Sequence, residues 1–276
     1  DYDGLILDLW GVLHDGTAPF PGVVAALGAL KAGGKRLAVL SNAPRRAALV
    51  EARMNEIGLV RSLYDHVHSS GEETWQHLRR RDDAFYAALG RRCYHIGPAR
   101  DDNMLAGAGL TRVGAIAEAE FLLNTGPSDW DETVAQYETL LQEALARGLP
   151  MVCANPDLVV IHQGRRSICA GAVAQRYEAL GGRVRWHGKP YPSVYATCLA
   201  ALGIADRRRI LAVGDSLRTD IAGANAAGID SVLVTGGIHA EEFGLDEGSM
   251  PDLDRAAAAI AASGHRPSAA ITQFRW

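Results

Sequence analysis

The chain has 276 residues, 48% of them hydrophobic and 22% charged, an ordinary globular composition with enough apolar side chain for two domains. A net charge of -4 argues against a nucleic-acid footprint, since the basic tracts Arg79-Arg80-Arg81, Arg91-Arg92 and Arg207-Arg208-Arg209 are short and lie beside acidic residues. No apolar stretch approaches the roughly 20 residues of a membrane span, and Cys93, Cys153, Cys169 and Cys198 form no Cys-x-x-Cys pair that would suggest zinc or a disulfide frame. Buried free thiols fit a reducing cytoplasm. No basic-then-apolar leader is visible, and a first residue other than Met leaves a targeting segment open.

The first run, Leu5-Ile6-Leu7-Asp8-Leu9-Trp10-Gly11-Val12-Leu13, sets a carboxylate inside a buried strand pattern. An unpaired buried charge costs too much to be accidental, so Asp8 is expected at the open end of the strand. Pro21-Gly22 opens a helix over Val23 to Lys31 that Gly33-Gly34 closes. Arg36 to Leu40 is a second strand ending at Ser41-Asn42, and a helix from Pro44 to Ile57 stops at Gly58. Strand and helix alternating in this way predict a parallel sheet. Asp65 to Ser70 reads as a shorter strand, and Gly71 to about Arg81 as a helix.

From about 82 to 183 the pattern predicts a second α/β unit. Its strands are expected at Cys93 to Ile96, Phe121 to Leu123 and Met151 to Ala154, with an amphipathic helix from Asp131 to Ala146 and another from Gly171 to Leu180. The strand-like Arg183-Val184-Arg185-Trp186 is read as the return to the first unit. A helix from Ser193 to Leu202, a strand over Ile210 to Val213 ending in Gly214-Asp215-Ser216, a helix closed by Gly228, a strand from Ser231 to Thr235 and an Ala-rich helix at Arg255 to Ala262 follow. The expected domains are a discontinuous core, 1–81 and 184–276, and an insert, 82–183. The tail from His265 to Trp276 gives no functional signal. Three strands ending in polar groups imply one site beyond their carboxyl ends.

Asp8-Leu9-Trp10-Gly11-Val12-Leu13, Ser41-Asn42, Gly188-Lys189-Pro190 and Gly214-Asp215-Ser216-Leu217-Arg218-Thr219-Asp220 resemble, in order and spacing, the four motifs of the haloacid dehalogenase (HAD) superfamily. The insert resembles the C2 cap of its class IIA, NagD-like branch, which includes bacterial nucleotide and sugar phosphatases and pyridoxal phosphate phosphatase. Phe20-Pro21-Gly22 and Ala154-Asn155-Pro156-Asp157 match that branch too. The resemblance implies a Rossmann-like α/β core with an inserted α/β C2 cap. The implied activity is hydrolysis of small phosphorylated metabolites, sugar or nucleotide phosphates, through an aspartyl phosphate on Asp8.

Two convergent carboxylates would repel unless a divalent ion lies between them, and an oxygen-only donor set suits Mg2+. Asp8, Asp215 and, by resemblance, the backbone carbonyl of Trp10 are the expected ligands. Lys189 would neutralise phosphoryl oxygens and hold Asp8. Ser41 and Asn42 at a strand-to-helix turn can donate to phosphate, although Ser-Asn is an equally good helix start. Asp220 is expected to support the metal or orient Lys189, or else to complement a helix dipole. Asn155 and Asp157 face the substrate or simply form an Asn-Pro-Asp turn. His162, Arg165 and Arg166 read as surface charge before they read as an anion site.

Trp10 departs from the family pattern, in which phosphatases usually carry a general acid-base Asp. Its absence is worth about 10²- to 10⁴-fold and leaves room for a weak or inactive phosphometabolite-binding protein, for non-phosphatase chemistry, or for His14 or Asp15 as a substitute acid. The expected partner is a small phosphorylated metabolite, with no nucleic acid, no membrane, and a homodimer left open.

Overall fold

The computed structural model describes residues 1–162, 164–245 and 250–275. Trp276, the end of the tail without functional signal, lies outside the described residues. In chain order the elements are β1 (Gly4–Leu7), α1 (Val23–Ala32), β2 (Arg36–Ser41), α2 (Ala47–Glu56), β3 (His66–Ser69), α3 (Ser70–Arg80), α4 (Ala84–Ala88), β4 (Arg92–Ile96), β5 (Thr111–Arg112) and β6 (Phe121–Asn124). They continue with α5 (Glu138–Ala146), β7 (Met151–Cys153), β8 (Val159–His162), β9 (Arg165–Ile168), α6 (Ala170–Ala179), β10 (Val184–Trp186), α7 (Pro192–Leu202), β11 (Ile210–Gly214), α8 (Ala222–Ala227), β12 (Asp230–Val234), α9 (Leu253–Ser263) and β13 (Ala269–Ile271). This is the α/β alternation that the sequence predicts. No helix among the described residues is long and apolar enough to cross a membrane.

The chain divides into two compact units. One comprises Asp1–Ser41, Val50–His68 and Lys189–Trp276, the other Asn42–Leu49 and Ser69–Gly188. A six-stranded sheet runs in the order β13-β12-β11-β1-β2-β3, with β1 parallel to both β2 and β11. β1, flanked on both sides, is buried throughout, which is why its sequence is a continuous apolar run rather than an alternation. Ile6, Ala38, Leu40 and Ala212 share a cluster with Val194, Tyr195, Cys198 and Leu202 of α7. α7 starts with proline in its first turn and ends at Gly203, which holds a left-handed conformation at φ 62°.

The second unit is built on a sheet of its own, β10-β7-β6-β4-β5, parallel at every pairing. Strand alternation sorts its core into two clusters. Leu122, Met151 and Cys153 pack with Val173 and Tyr177 of α6. Phe121, Leu123 and Val152 pack with Trp75 and Leu78 of α3 and with Tyr86. A separate hairpin pairs β8 with β9.

Two placements correct the expected boundaries. Val184–Trp186, expected in the core, pairs with Met151–Cys153 in the second sheet; a short strand's residues do not encode which edge will accept its hydrogen bonds. α3, also expected in the core, groups with the second unit because its apolar face meets Tyr86, Cys93 and Phe121. The helix expected from Asp131 starts at Glu138, after a 3₁₀ turn over Val134–Tyr137 that a Thr133–Gln136 capping box opens.

Candidate active site

The first unit brings four of the expected side chains together. Asp8 follows β1, its N–H donating to the Val213 carbonyl at 2.9 Å, so β11 sets where its side chain leaves the sheet. Asp215 follows β11. Asp220 lies in a π-helical turn, Leu217–Ile221, that begins where the Ser216 hydroxyl accepts the Thr219 N–H at 3.3 Å. The carboxylates of Asp8, Asp215 and Asp220 lie within 4.8 Å of one another. The Lys189 ammonium donates to Asp8 Oδ1 and lies 2.8 Å from Asp220 Oδ1. All four side chains are buried.

Each carboxylate is held by more than its neighbours. Asp215 Oδ2 accepts the Ile238 N–H at 2.8 Å. Asp220 Oδ2 accepts the Ser216 N–H at 3.1 Å, and the Asp220 carbonyl accepts the Tyr195 hydroxyl at 3.0 Å. Room for Asp215 comes from two glycines. A Cβ on Gly11, at φ +84°, or on Gly237 would lie 2.1 Å from Asp215 Oδ2. Gly237, Ile238 and Tyr195 are contacts of the carboxylate cluster that sequence reasoning missed. The signal for the first two was present, since Thr235-Gly236-Gly237 follows a buried parallel strand as the other polar ends do.

Three carboxylates around one ammonium form an electrostatically incomplete set. Burial raises the Asp8 carboxyl above its ordinary range, the charge of Lys189 opposes this, and the charge of Asp220 adds to it. Asp215 is pushed well above its ordinary range too, by burial first and then by the charges of Asp8 and Asp220. A divalent cation supplies the missing charge, and the donors are oxygens only, so the residues present fit Mg2+.

Ser41 is the buried last residue of β2 in this unit. Asn42, Asn155 and Asp157 belong to the second unit and contact one another. Asn42 Nδ2 donates to Asp157 Oδ1 at 2.9 Å, and Asn155 Oδ1 accepts the Asp157 N–H at 2.9 Å, the Asx turn that Asn-Pro-Asp allows. His162 stacks on Trp130, and Arg165 pairs with Asp131 at 2.6 Å.

The loop after Asp8 shows what Trp10 and its neighbours do. The Trp10 ring packs edge-on to His14, centroids 5.4 Å apart, and against Gly16, where a Cβ would come within 2.3 Å of it. His14 Nδ1 accepts the Gly16 N–H at 2.7 Å, and burial pulls the imidazole down to about 4, so it is neutral at pH 7 with no imidazolium proton to give. Asp15 Oδ1 caps Thr17 and Ala18 N–H groups at 2.7 and 2.9 Å. Those bonds lower its carboxyl and keep it ionised. Neither residue is prepared as a general acid.

A second group with metal-ligating side chains, Glu73, His77 and His187, lies in the second unit. Both nitrogens of His187 are engaged, Nδ1 with Glu73 Oε2 at 2.9 Å and Nε2 with the Tyr86 hydroxyl. Glu73 Oε2 also accepts the Gly188 N–H at 3.2 Å. Glu73, His187 and Tyr86 are thus tied up with one another, while the His77 ring packs on those of Tyr86 and His187 and its Nδ1 makes no hydrogen bond to Glu73 or His187.

The family described as haloacid dehalogenase-like hydrolase matches residues 5–111, and the one described as HAD-hydrolase-like matches residues 186–261. A solved hydrolase of the haloacid dehalogenase-like family from Brucella suis 1330 is 33% identical, with a TM-score of 0.83 over 99% of this chain and 95% of that one. The chain belongs to the haloacid dehalogenase-like hydrolases. Among curated HAD relatives, D-glycerol 3-phosphate phosphatase from Mycobacterium tuberculosis is 31% identical over 87% of this chain, which spans 64% of that relative's length. The ribonucleotide monophosphatase NagD from Escherichia coli K12 is 26% identical over 90% of this chain and 92% of its own. These relatives place the HAD chain in the class IIA branch.

Proposed function

We propose that this chain is a Mg2+-dependent phosphatase of small phosphorylated metabolites, sugar, nucleotide or glycerol phosphates, acting through an aspartyl phosphate on Asp8. The buried set of Asp8, Asp215, Asp220 and Lys189 carries this reading. Asp8 Oδ attacks phosphorus as the ester P–O bond breaks and its electron pair leaves with the alcohol oxygen. Water then attacks the same phosphorus, releasing inorganic phosphate and restoring the carboxylate. Lys189 favours the ionised form of Asp8 against the effect of burial and balances charge on the phosphoryl oxygens. Asp220, bonded to Lys189 Nζ and to backbone, positions that ammonium. Ser41 and Asn42 donate to the phosphate.

Asp8, Asp215 and the Trp10 carbonyl would hold Mg2+, which when bound would neutralise the carboxylates and polarise phosphoryl oxygens. The inserted segment acts as a cap that selects substrates, with Asn155 and Asp157 in that role. Nucleic acid is not a partner, a homodimer is compatible with the reading, and four buried cysteines that form no disulfide support a reducing cytoplasm.

Trp10, with His14 and Asp15 both otherwise engaged, favours a second reading, a phosphometabolite-binding protein with slow turnover. Hydrolysis of 4-nitrophenyl phosphate with and without Mg2+, by wild type and by Asp8→Asn, separates the two. Metal-dependent turnover that Asp8→Asn abolishes is expected of the enzyme. Turnover that survives in Asp8→Asn removes the nucleophile assignment, and saturable phosphate-ester binding without turnover selects the binding protein.

A further inference from the structure

The sheet of the second unit has a switch point of its own. Numbered along the chain, its strands lie in the order 2-1-3-4-5, because β4 has β5 on one side and β6, β7 and β10 in succession on the other. The chain leaves β4 toward one edge and returns across it to lay down β6. In parallel α/β sheets the crevice beyond the carboxyl ends at such a reversal is where ligands bind. A cavity of about 310 Å³ lies there. Tyr94 lines it from the middle of β4 and Gly97 from just past its end, Arg112 from the end of β5, and Glu132, Gln136 and Tyr137 from the segment after β6. None of these residues belongs to the Asp8 cluster.

The lining is specific about what it leaves open. Glu132 Oε2 accepts the Ser128 N–H at 3.1 Å and the Tyr137 hydroxyl, which leaves Oε1 as an acceptor. Gln136 Oε1 accepts the Thr133 N–H, and that bond orients the amide so that Nε2 remains a donor. A planar ring whose edge carries both an N–H and an acceptor answers that pair, and Tyr94 and Tyr137 line the same cavity.

The cationic group is already committed. Arg112 Nη1 holds both oxygens of Asp102, at 2.8 and 3.1 Å. The segment after β4 puts Asp101 and Asp102 into its first turn, where a phosphate site would present bare N–H groups. We infer that this cavity binds a neutral nucleoside, base against the tyrosines and base edge on Glu132 and Gln136. The site stands independently of the proposed phosphatase reaction.

Adenosine is the probe, titrated into the full-length Asp8→Asn protein and followed by two-dimensional amide NMR. Saturable shifts at Gly97, Arg112 and Ser128 are expected, with a Kd at or below about 1 mM. AMP is expected to shift the same amides about tenfold more weakly. Tyr94→Ala should weaken adenosine about tenfold while Tyr94→Phe, which keeps the ring, retains it. The near-isosteric Glu132→Gln should weaken it comparably. Failure of adenosine, guanosine, cytidine and uridine to shift these amides at about 10 mM overturns the site. Shifts confined to other residues overturn its location, and equal potency of AMP at these amides overturns the neutral class.

Discussion

Replacing Lys189 by Met removes the one ammonium among three buried carboxylates and keeps most of the side-chain volume. At 2.8 Å from Asp220 Oδ1, a unit charge pair interacts by about 6 kcal/mol at an effective dielectric of about 20, and desolvation offsets part of it. Removing one partner of such a buried pair leaves the others uncompensated, so the expected loss in urea unfolding at pH 8 is about 3–5 kcal/mol. The variant's carboxyls respond by titrating at higher pH than in the unfolded chain. A folded-state pKa above the unfolded value stabilises at low pH and is lost as pH rises, so the deficit should be largest at pH 8 and shrink toward pH 5. Measured unfolding free energies at the two pH values decide it. A loss below about 1 kcal/mol, or one of equal size at both pH values, would refute the view that Lys189 balances this cluster.

Trp10→Asp places a carboxylic acid beside Asp8 and should raise alkyl phosphate turnover by some part of about 10²- to 10⁴-fold, flattening the dependence on leaving-group pKa. Parent enzyme that already cleaves alkyl and aryl esters equally well would show that an acid is present. Gly237→Ala drives a Cβ to 2.1 Å from Asp215 Oδ2, so it should cost about 1–3 kcal/mol and shift the Mg2+ activation curve upward. Gly114→Ala, with nothing within 4 Å, is the control, and equal behaviour of the two in the Mg2+ titration would contradict the role of Gly237. His187 is buried and its pKa is lowered, by burial before all else. Its stabilising contribution is therefore complete above about pH 6.5 and falls with pH, as the unfolded chain takes a proton that the folded one resists. The stability gap between wild type and His187→Gln should narrow from pH 7.5 to 5, and a constant gap would contradict this.

What could be read in the sequence was what burial imposes locally. β1, β2 and β11 are apolar runs because both faces of each are covered, and the polar residues after them mark the end where Asp8, Ser41 and Asp215 emerge. Long-range pairing left no such mark. Nothing in Val184–Trp186 says that Met151–Cys153 is its neighbour. β13 is exposed along its length, so no apolar run announced it. The β8–β9 hairpin, turning at Gly164 with φ +74°, carries charges on a partly covered ribbon and reads as loop. At the site, the choice left open at Asn155 and Asp157 depended on an Asx turn and a bond to Asn42. The turn is local and Asn-Pro-Asp allows it, but the bond from Asn42 to Asp157 joins residues 115 positions apart, and only the fold supplies it.

The pairing of Gly4 with Ile210 makes the central strand one of the last to be completed during synthesis. At ribosomal rates of about 5–20 residues per second, β1 waits roughly 10–40 s for the partner on its β11 side. Through that interval an apolar strand edge that leads into Asp8 stands open to pairing with other nascent chains. The second unit, whose last residue is Gly188, has a sheet of its own and gives β1 no strand to pair with. Expression yield should therefore respond to chaperone supply and growth temperature, and a circular permutant that places β11 beside β1 in the order of synthesis should aggregate less.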